Sequence, residues 1–314
     1  MGTSLVKSRQ YSTVRSLEIV SDLPNFSPAA DGARSSGDPH QLLGWLAAEA
    51  RQAVLPAAEI EGRQRRIFEE VLQLSRSMRS ANFTRIDSED LRRMVMLYDR
   101  EYFAGRLIAA IGRQRVRFGL SSRMTSVAGK LVTHYPKRGA RRIGPLPGHL
   151  PGPNPSAAPA DHRRFEMVLS STLLFQAFAD VDRPITVTGL RCANRLEAMQ
   201  RVCEHELIHL VEMFLWNDSC CSQGRFQGIV SRLFGHTDYR HDLITPRERA
   251  AQKFDIRVGT AVRFRFQNQW LTGRVNRITR RATVLVEAPH GEPFTDGRRY
   301  IRYYVPLEQL QRVS

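Results

Sequence analysis

Two histidines four residues apart stand near the middle of the chain, in the run Cys203-Glu204-His205-Glu206-Leu207-Ile208-His209. On an α-helix that spacing sends both imidazoles off one face, where they can share a metal ion. Glu206 follows His205 by one position, about 100° further round the helix. It is near enough to move a proton without being a ligand. Zinc in such a place lowers the pKa of a water towards about 7 and polarises a carbonyl. Glu206 can then accept the water's proton and hand it to a leaving amine. The spacing therefore predicts a zinc-dependent peptidase, with His205 and His209 as Zn2+ ligands and Glu206 as the catalytic general base. The competing reading is a solvated helix face that happens to carry His, Glu and His. The apolar flanks weigh against it, because unpaired His and Glu are costly to bury.

The helix that must carry this run has a start signal: Asn194 as N-cap with Glu197 three residues on. Leu196, Met199, Val202, Cys203, Leu207, Leu210, Val211 and Phe214 give it apolar faces as far as Trp216. A further helix is expected over 224–234, stopped by Gly235. Upstream, Asp87 and Asp90 mark the start of a helix striped by Leu91, Met94, Leu97, Tyr98 and Tyr102 and ended by Gly105. Residues 116–120, 129–135 and 165–170 are short enough to be strands. Past Arg249 the period switches to 2, with strands expected over 260–266, 271–275, 283–287 and 300–305 at turn-punctuated spacing, the pattern of a small β-barrel. The expected organisation is a disordered lead-in over 1–38, a helical extension over 39–82, an α+β domain over 83–251 and an all-β, SH3-like barrel over 252–314. Within the 83–251 domain, 136–163 reads as a basic Pro/Gly-rich insertion carrying Lys137, Arg138, Arg141 and Arg142.

Three segments together resemble the SprT/Spartan family of zinc metallopeptidases: Tyr98-Asp99-Arg100-Glu101-Tyr102-Phe103-Ala104-Gly105-Arg106-Leu107, Ser122-Arg123-Met124-Thr125-Ser126-Val127-Ala128-Gly129 and His205-Glu206-Leu207-Ile208-His209. The likeness runs from near Phe83 to near His241. It implies a zincin-like metallopeptidase domain, one Zn2+, and proteins covalently trapped on DNA as the substrate class. In that family the third zinc ligand is a histidine at the start of the next helix, four residues before a Phe. If Phe226 is that Phe, the ligand position holds Ser222. Cys221 beside it is the first substitute, as a thiolate, with His236 or His241 as the other candidates. Family members often carry a C-terminal zinc ribbon of paired cysteines. Here no cysteine follows Cys221, and the basic β segment takes that place.

Composition narrows the setting. The 314 residues contain no run of 18 apolar residues, so a helical membrane span is not expected. The first residues lack the apolar core of a secretory signal. Four clustered cysteines do not make a secreted disulfide framework, so a cytoplasmic location, with nucleoid association as an option, is the simpler expectation. A net charge of +16 points to a polyanionic partner, of which DNA is the commonest. The last segment interleaves Arg263, Arg265, Arg274, Arg277, Arg280 and Arg281 with aromatic residues, which suits nucleic-acid contact. An ordinary outward polar face would also carry them, and small barrels bind peptides too. The function expected is a zinc-dependent endopeptidase acting on DNA-associated or DNA-crosslinked proteins. The alternative is a non-catalytic nucleic-acid-binding protein with a structural or degenerate zinc site.

Overall fold

A computed structural model describes residues 39–136 and 162–313. The expected lead-in over 1–38, and residues 137–161 of the expected insertion, lie outside the described residues. The chain opens with four helices, α1 (Pro39–Gln52), α2 (Ala57–Leu74), α3 (Ser88–Phe103) and α4 (Arg106–Ile111). A capping box starts α3: Asp87 accepts from the Asp90 amide at 2.9 Å, and Asp90 accepts from the Asp87 amide at 3.1 Å. The helix stops at Phe103 rather than at Gly105, with Ala104 left-handed at φ 51°. Gly105 instead opens α4, whose first amides, Leu107 and Ile108, donate to the buried Asp99 carboxylate.

A three-stranded sheet follows: β1 (Val116–Ser121), β2 (Gly129–His134) and β3 (Arg164–Ser170). Its order is β1-β3-β2, with β3 parallel to β1 and antiparallel to β2. Central β3 is therefore the most buried strand, and β2 is an edge. Then come α5 (Ser171–Gln176), the hairpin β4 (Ile185–Val187) and β5 (Leu190–Cys192), and the long α6 (Arg195–Trp216). Asn194 caps α6 by accepting from the Glu197 amide, as its sequence predicts. Leu196, Met199, Cys203, Leu207 and Leu210 are fully buried, so α6 runs through the centre rather than over the surface. α7 (Gly224–Phe234) packs on it and ends at left-handed Gly235. The expected helical extension is no appendage: Leu46, Ala50, Ile67 and Val71 join the same core as Phe165, Leu207 and Phe226.

Behind α6 lies a buried polar cluster. The Glu204 carboxylate accepts from Tyr98 Oη (2.7 Å), Gln64 Nε2 (3.0 Å) and Arg201 Nη1 (3.0 Å), and its other oxygen meets His236 Nε2 at 2.7 Å. Burial pushes Glu204 up, but Arg201, His236 and Tyr98 outweigh it and hold the group below the usual carboxylate range. This cluster ties α2, α3, α6 and the segment after α7 together. Removing one partner would leave an uncompensated buried charge, at about 3–5 kcal/mol.

The chain continues through α8 (Pro246–Phe254) into β6 (Ala261–Phe266), β7 (Gln269–Ile278), β8 (Ala282–Pro293), β9 (Arg299–Val305) and β10 (Gln311–Arg312). These strands form an antiparallel sheet of order β10-β6-β7-β8-β9. Its inner face, with Val262, Phe264, Val275 and Val284, makes a second apolar core with Ala250 and Ile256. The expected boundary near residue 252 thus falls inside α8, which the second core shares. The architecture is mixed α+β. Among the described residues the expected barrel is an open five-stranded sheet, because two-residue β10 pairs with β6 alone and β9 keeps a free edge. No helix among the described residues is long and apolar enough to cross a membrane.

Candidate metal and catalytic site

α6 delivers His205 and His209 to one face, with their Nε2 atoms 3.1 Å apart. Phe226, on α7, backs both rings at centroid distances of 4.8 and 4.5 Å. Burial lowers His205 to about 3, helped by His209 and then His236 and His241, and lowers His209 to about 4. Both rings are therefore neutral at physiological pH and offer lone pairs.

The tautomer of His209 is fixed from behind. Ser219 Oγ donates to Glu212 Oε2 at 2.6 Å, so at 2.7 Å from His209 Nδ1 it can only accept from that ring. Glu212 is fully buried, three residues on from His209 along α6, and Arg225 Nε holds its other oxygen at 2.6 Å. The chain Arg225–Glu212–Ser219–His209 leaves Nε2 of His209 as a bare acceptor aimed at Nε2 of His205. Nδ1 of His205 is buried without a hydrogen-bond partner.

A neutral His205 can donate its own Nε2 proton to this acceptor, or both nitrogens can turn lone pairs on one shared ion. Bonds of 2.0–2.1 Å to one tetrahedral zinc put two nitrogens about 3.3 Å apart, close to the spacing found. Cys221 completes a group whose ligand atoms all lie within 4.8 Å of one another. Burial, and then the neighbouring Cys220, raises the Cys221 thiol above its ordinary value, so binding a metal there releases its proton. Two neutral imidazoles and a thiol are a donor set that zinc accepts, and three protein ligands leave a fourth position open.

Glu206 lies beside this group at the back of a cleft of about 140 Å³, whose walls include Val127, Gly129, Val187, Val202 and His241. Burial raises its carboxyl to about 8, against a hydrogen bond from the Leu131 backbone that lowers it. Its Oε2 is buried and unpaired. Edge strand β2 passes so close that a Cβ on Gly129 would sit 2.6 Å from Glu206 Oε1 and 2.8 Å from Val202 Cγ1. Only glycine fits between the strand and this carboxyl group.

His241 lines the same cleft. The segment bearing it is pinned to the β4–β5 hairpin by Thr188 N–H to Arg240 O (2.7 Å), Asp242 N–H to Thr186 O (3.0 Å) and a bridge between Val187 and His241. One ring nitrogen bonds the Ser126 backbone, while burial lowers the ring below the ordinary histidine value.

The residues singled out in the sequence separate accordingly. His205, His209 and Cys221 come together, and Glu206 is beside them. His236 does not reach that group, because the chain turns at Gly235 and seats the ring on Glu204, behind α6. His241 shares the cleft without joining the ligand group. Ser222 is exposed and contacts the Cys220 thiol at 3.2 Å. Arg263, Arg265, Arg274 and Arg277 project from one face of the C-terminal sheet. Arg280 and Arg281 lie in the turn after β7, where Arg280 donates to Ser122 Oγ at 3.2 Å. Sequence reasoning missed Glu212, Ser219 and Gly129. A carboxylate inside the apolar helix, three residues after His209, was the available signal for Glu212.

Compared with protein-family models, with curated proteins and with solved structures, the chain matches none.

Proposed function

We propose that this protein is a zinc-dependent endopeptidase, and that its targets are proteins bound or crosslinked to DNA. The observation that carries the reading is the facing pair of imidazole nitrogens, 3.1 Å apart, with a buried carboxyl as the next residue on the same helix. His205, His209 and Cys221 would hold the ion. When bound, it supplies a Lewis acid for water and carbonyl, and its charge favours the carboxylate form of Glu206. Glu206 takes the proton of the attacking water and returns it to the leaving nitrogen. Its position is set on one side by the Leu131 backbone and on the other by the bare backbone of Gly129. Phe226 and the buried helix exclude bulk water from the ligand side, which strengthens every charge interaction there.

We read the first unit as zincin-like and the second as SH3-like. The last strand of the sheet returns to pair with its first, after a 3-10 turn at Leu307–Gln309, which supports the second reading. Four free thiols suit a reducing, cytoplasmic or nucleoid setting. DNA as partner is supported by the net charge of +16 and by the exposed arginine face.

Metal analysis of the purified chain should return about one zinc per molecule. The double variant His205→Ala/His209→Ala should return none, and Cys221→Ser should hold the ion more weakly. Glu206→Gln should keep the zinc and lose DNA-stimulated cleavage of casein or of the chain itself. Zinc retained with cleavage undiminished in Glu206→Gln would refute the assignment of the base. Zinc bound by a chain that cleaves nothing would favour a structural metal site in a nucleic-acid-binding protein.

A further inference from the structure

The outer face of the C-terminal sheet is unusually specific in what it presents. Strand alternation and register settle which side chains share it. Arg265 pairs directly with Trp270, Arg263 with Thr272, Arg274 with Leu285, and Thr283 stands between Arg277 and Tyr304. Their sequence neighbours Val262, Phe264, Val275 and Val284 point the other way, into the core. Among the described residues no carboxylate pairs with Arg263, Arg265, Arg274 or Arg277, whereas Arg298 and Arg302 nearby are paired with Glu287 and Glu292. Arg263 donates to Gln311 Oε1 and Arg274 to the Gly259 carbonyl, both uncharged partners that leave the positive charge in place. Two aromatic rings lie at the ends of this set: Trp270, 54% exposed, and Tyr304, 64% exposed. From rise and strand spacing the diagonal between them is about 25 Å. The guanidinium of Arg263 lies 5.0 Å from the Trp270 ring centroid, covering part of the indole while the ring stays accessible.

We infer that this face is a track for single-stranded nucleic acid, with Trp270 and Tyr304 as stacking platforms and the arginines between them on the phosphates. Four uncompensated cations on one flat surface call for a polyanion. Exposed aromatic rings set among them call for unpaired bases, since a base in a duplex already has its faces stacked. The four arginines lie on the broad part of the sheet, and the stretch beyond Leu285 where β8 pairs with β9 alone carries none of them. Its length accommodates about four nucleotides or more. The other end of β7 leads into the turn where Arg280 reaches Ser122, five residues before the cleft residue Val127. A strand held on the track is thus carried by the same sheet whose β7–β8 turn touches the segment leading to Val127. This inference deepens the nucleic-acid part of the function proposed above and does not rest on the metal centre.

Fluorescence anisotropy of the full chain with a labelled oligothymidylate of about 15 nucleotides tests it, beside a duplex of equal length. The single strand should bind more tightly than the duplex. Trp270→Ala should weaken single-strand binding roughly 5- to 150-fold, the range expected for one lost base stack, while Trp270→Phe retains most of it. Arg263→Ala/Arg265→Ala should reduce the salt slope by about 1.4, two phosphates' worth for a single strand. Glu206→Gln should bind as the parent does, so a failure of the peptidase reading shows in cleavage and a failure of this one in anisotropy. Three outcomes would overturn it: duplex bound as well as single strand, Trp270→Ala without effect, or a polyglutamate peptide displacing the oligonucleotide at equal charge concentration.

Discussion

Replacing Gly129 with alanine adds one methyl group where β2 passes against Glu206 and Val202 of α6. The added carbon would lie 2.6 Å from Glu206 Oε1, 2.7 Å from its Cγ and 2.8 Å from Val202 Cγ1, all shorter than real carbon contacts allow. The strand cannot retreat, because β2 is paired to β3 along its whole length and the Ser170 amide holds Ala128 O at 2.7 Å. Val202 cannot retreat either, being buried on α6. The soft element is the Glu206 side chain, which must rotate away from its Leu131 hydrogen bond. Overpacking of this kind costs about 1–3 kcal/mol, a fall in melting temperature of a few degrees. The loss of a positioned general base costs far more in rate, about 10²–10⁴-fold. Gly129→Ala should therefore fold, hold zinc as the parent does, and lose kcat by about 100-fold or more with KM little changed. Gly119→Ala is the control, since its new carbon would meet Val168 at 3.6 Å, an ordinary contact, and should leave rate and melting temperature near parental values. The reasoning fails if Gly129→Ala keeps parental kcat, or if its lost activity is accompanied by lost zinc.

One further outcome concerns the groups behind His209 and another an ion pair remote from the site. Ser219→Ala and Glu212→Gln each break the chain that orients His209, and each should weaken zinc binding about 10- to 100-fold in competition with a chromogenic chelator, at unchanged helix content. Asp180 concerns stability in acid: its bond to Arg249 first, opposed by burial and aided by Lys253, pulls it to about 2 from an ordinary 3.8. A depressed carboxyl stabilises the fold above its unfolded pKa, and that contribution is lost as pH falls from 3.8 through 2. Thermal melts across that interval should show the parent losing more stability than Asp180→Asn; equal losses would show the pair to be too solvent-screened to matter.

Local chemistry was legible without the fold. Asp87 with Asp90 and Asn194 with Glu197 cap helices because those bonds span three residues, and the four-residue spacing of His205 and His209 puts two rings on one face wherever the helix lies. Alternation gave the strands of the C-terminal sheet, and with it the shared face of Arg263 and Arg265, because a pleated strand has period 2; that Trp270 joins them was set by the β6–β7 register.

What lies beyond one helix turn needed the tertiary structure. The third member of the ligand group is decided by how the chain reverses after left-handed Asn217 and is clamped by Arg225 on Glu212, so that Cys221 and not Ser222 faces the histidines. His236 carries the same chemistry as His205, yet the turn at Gly235 commits it to Glu204 on the far side of α6. The parallel pairing of β1 with β3, which makes β2 an edge and brings Gly129 against Glu206, is a crossover that strand patterns do not encode. Residue type and spacing determined which groups could do chemistry here. Which of them meet was decided by long-range packing, because contacts between residues far apart in the chain depend on the direction of every turn between them.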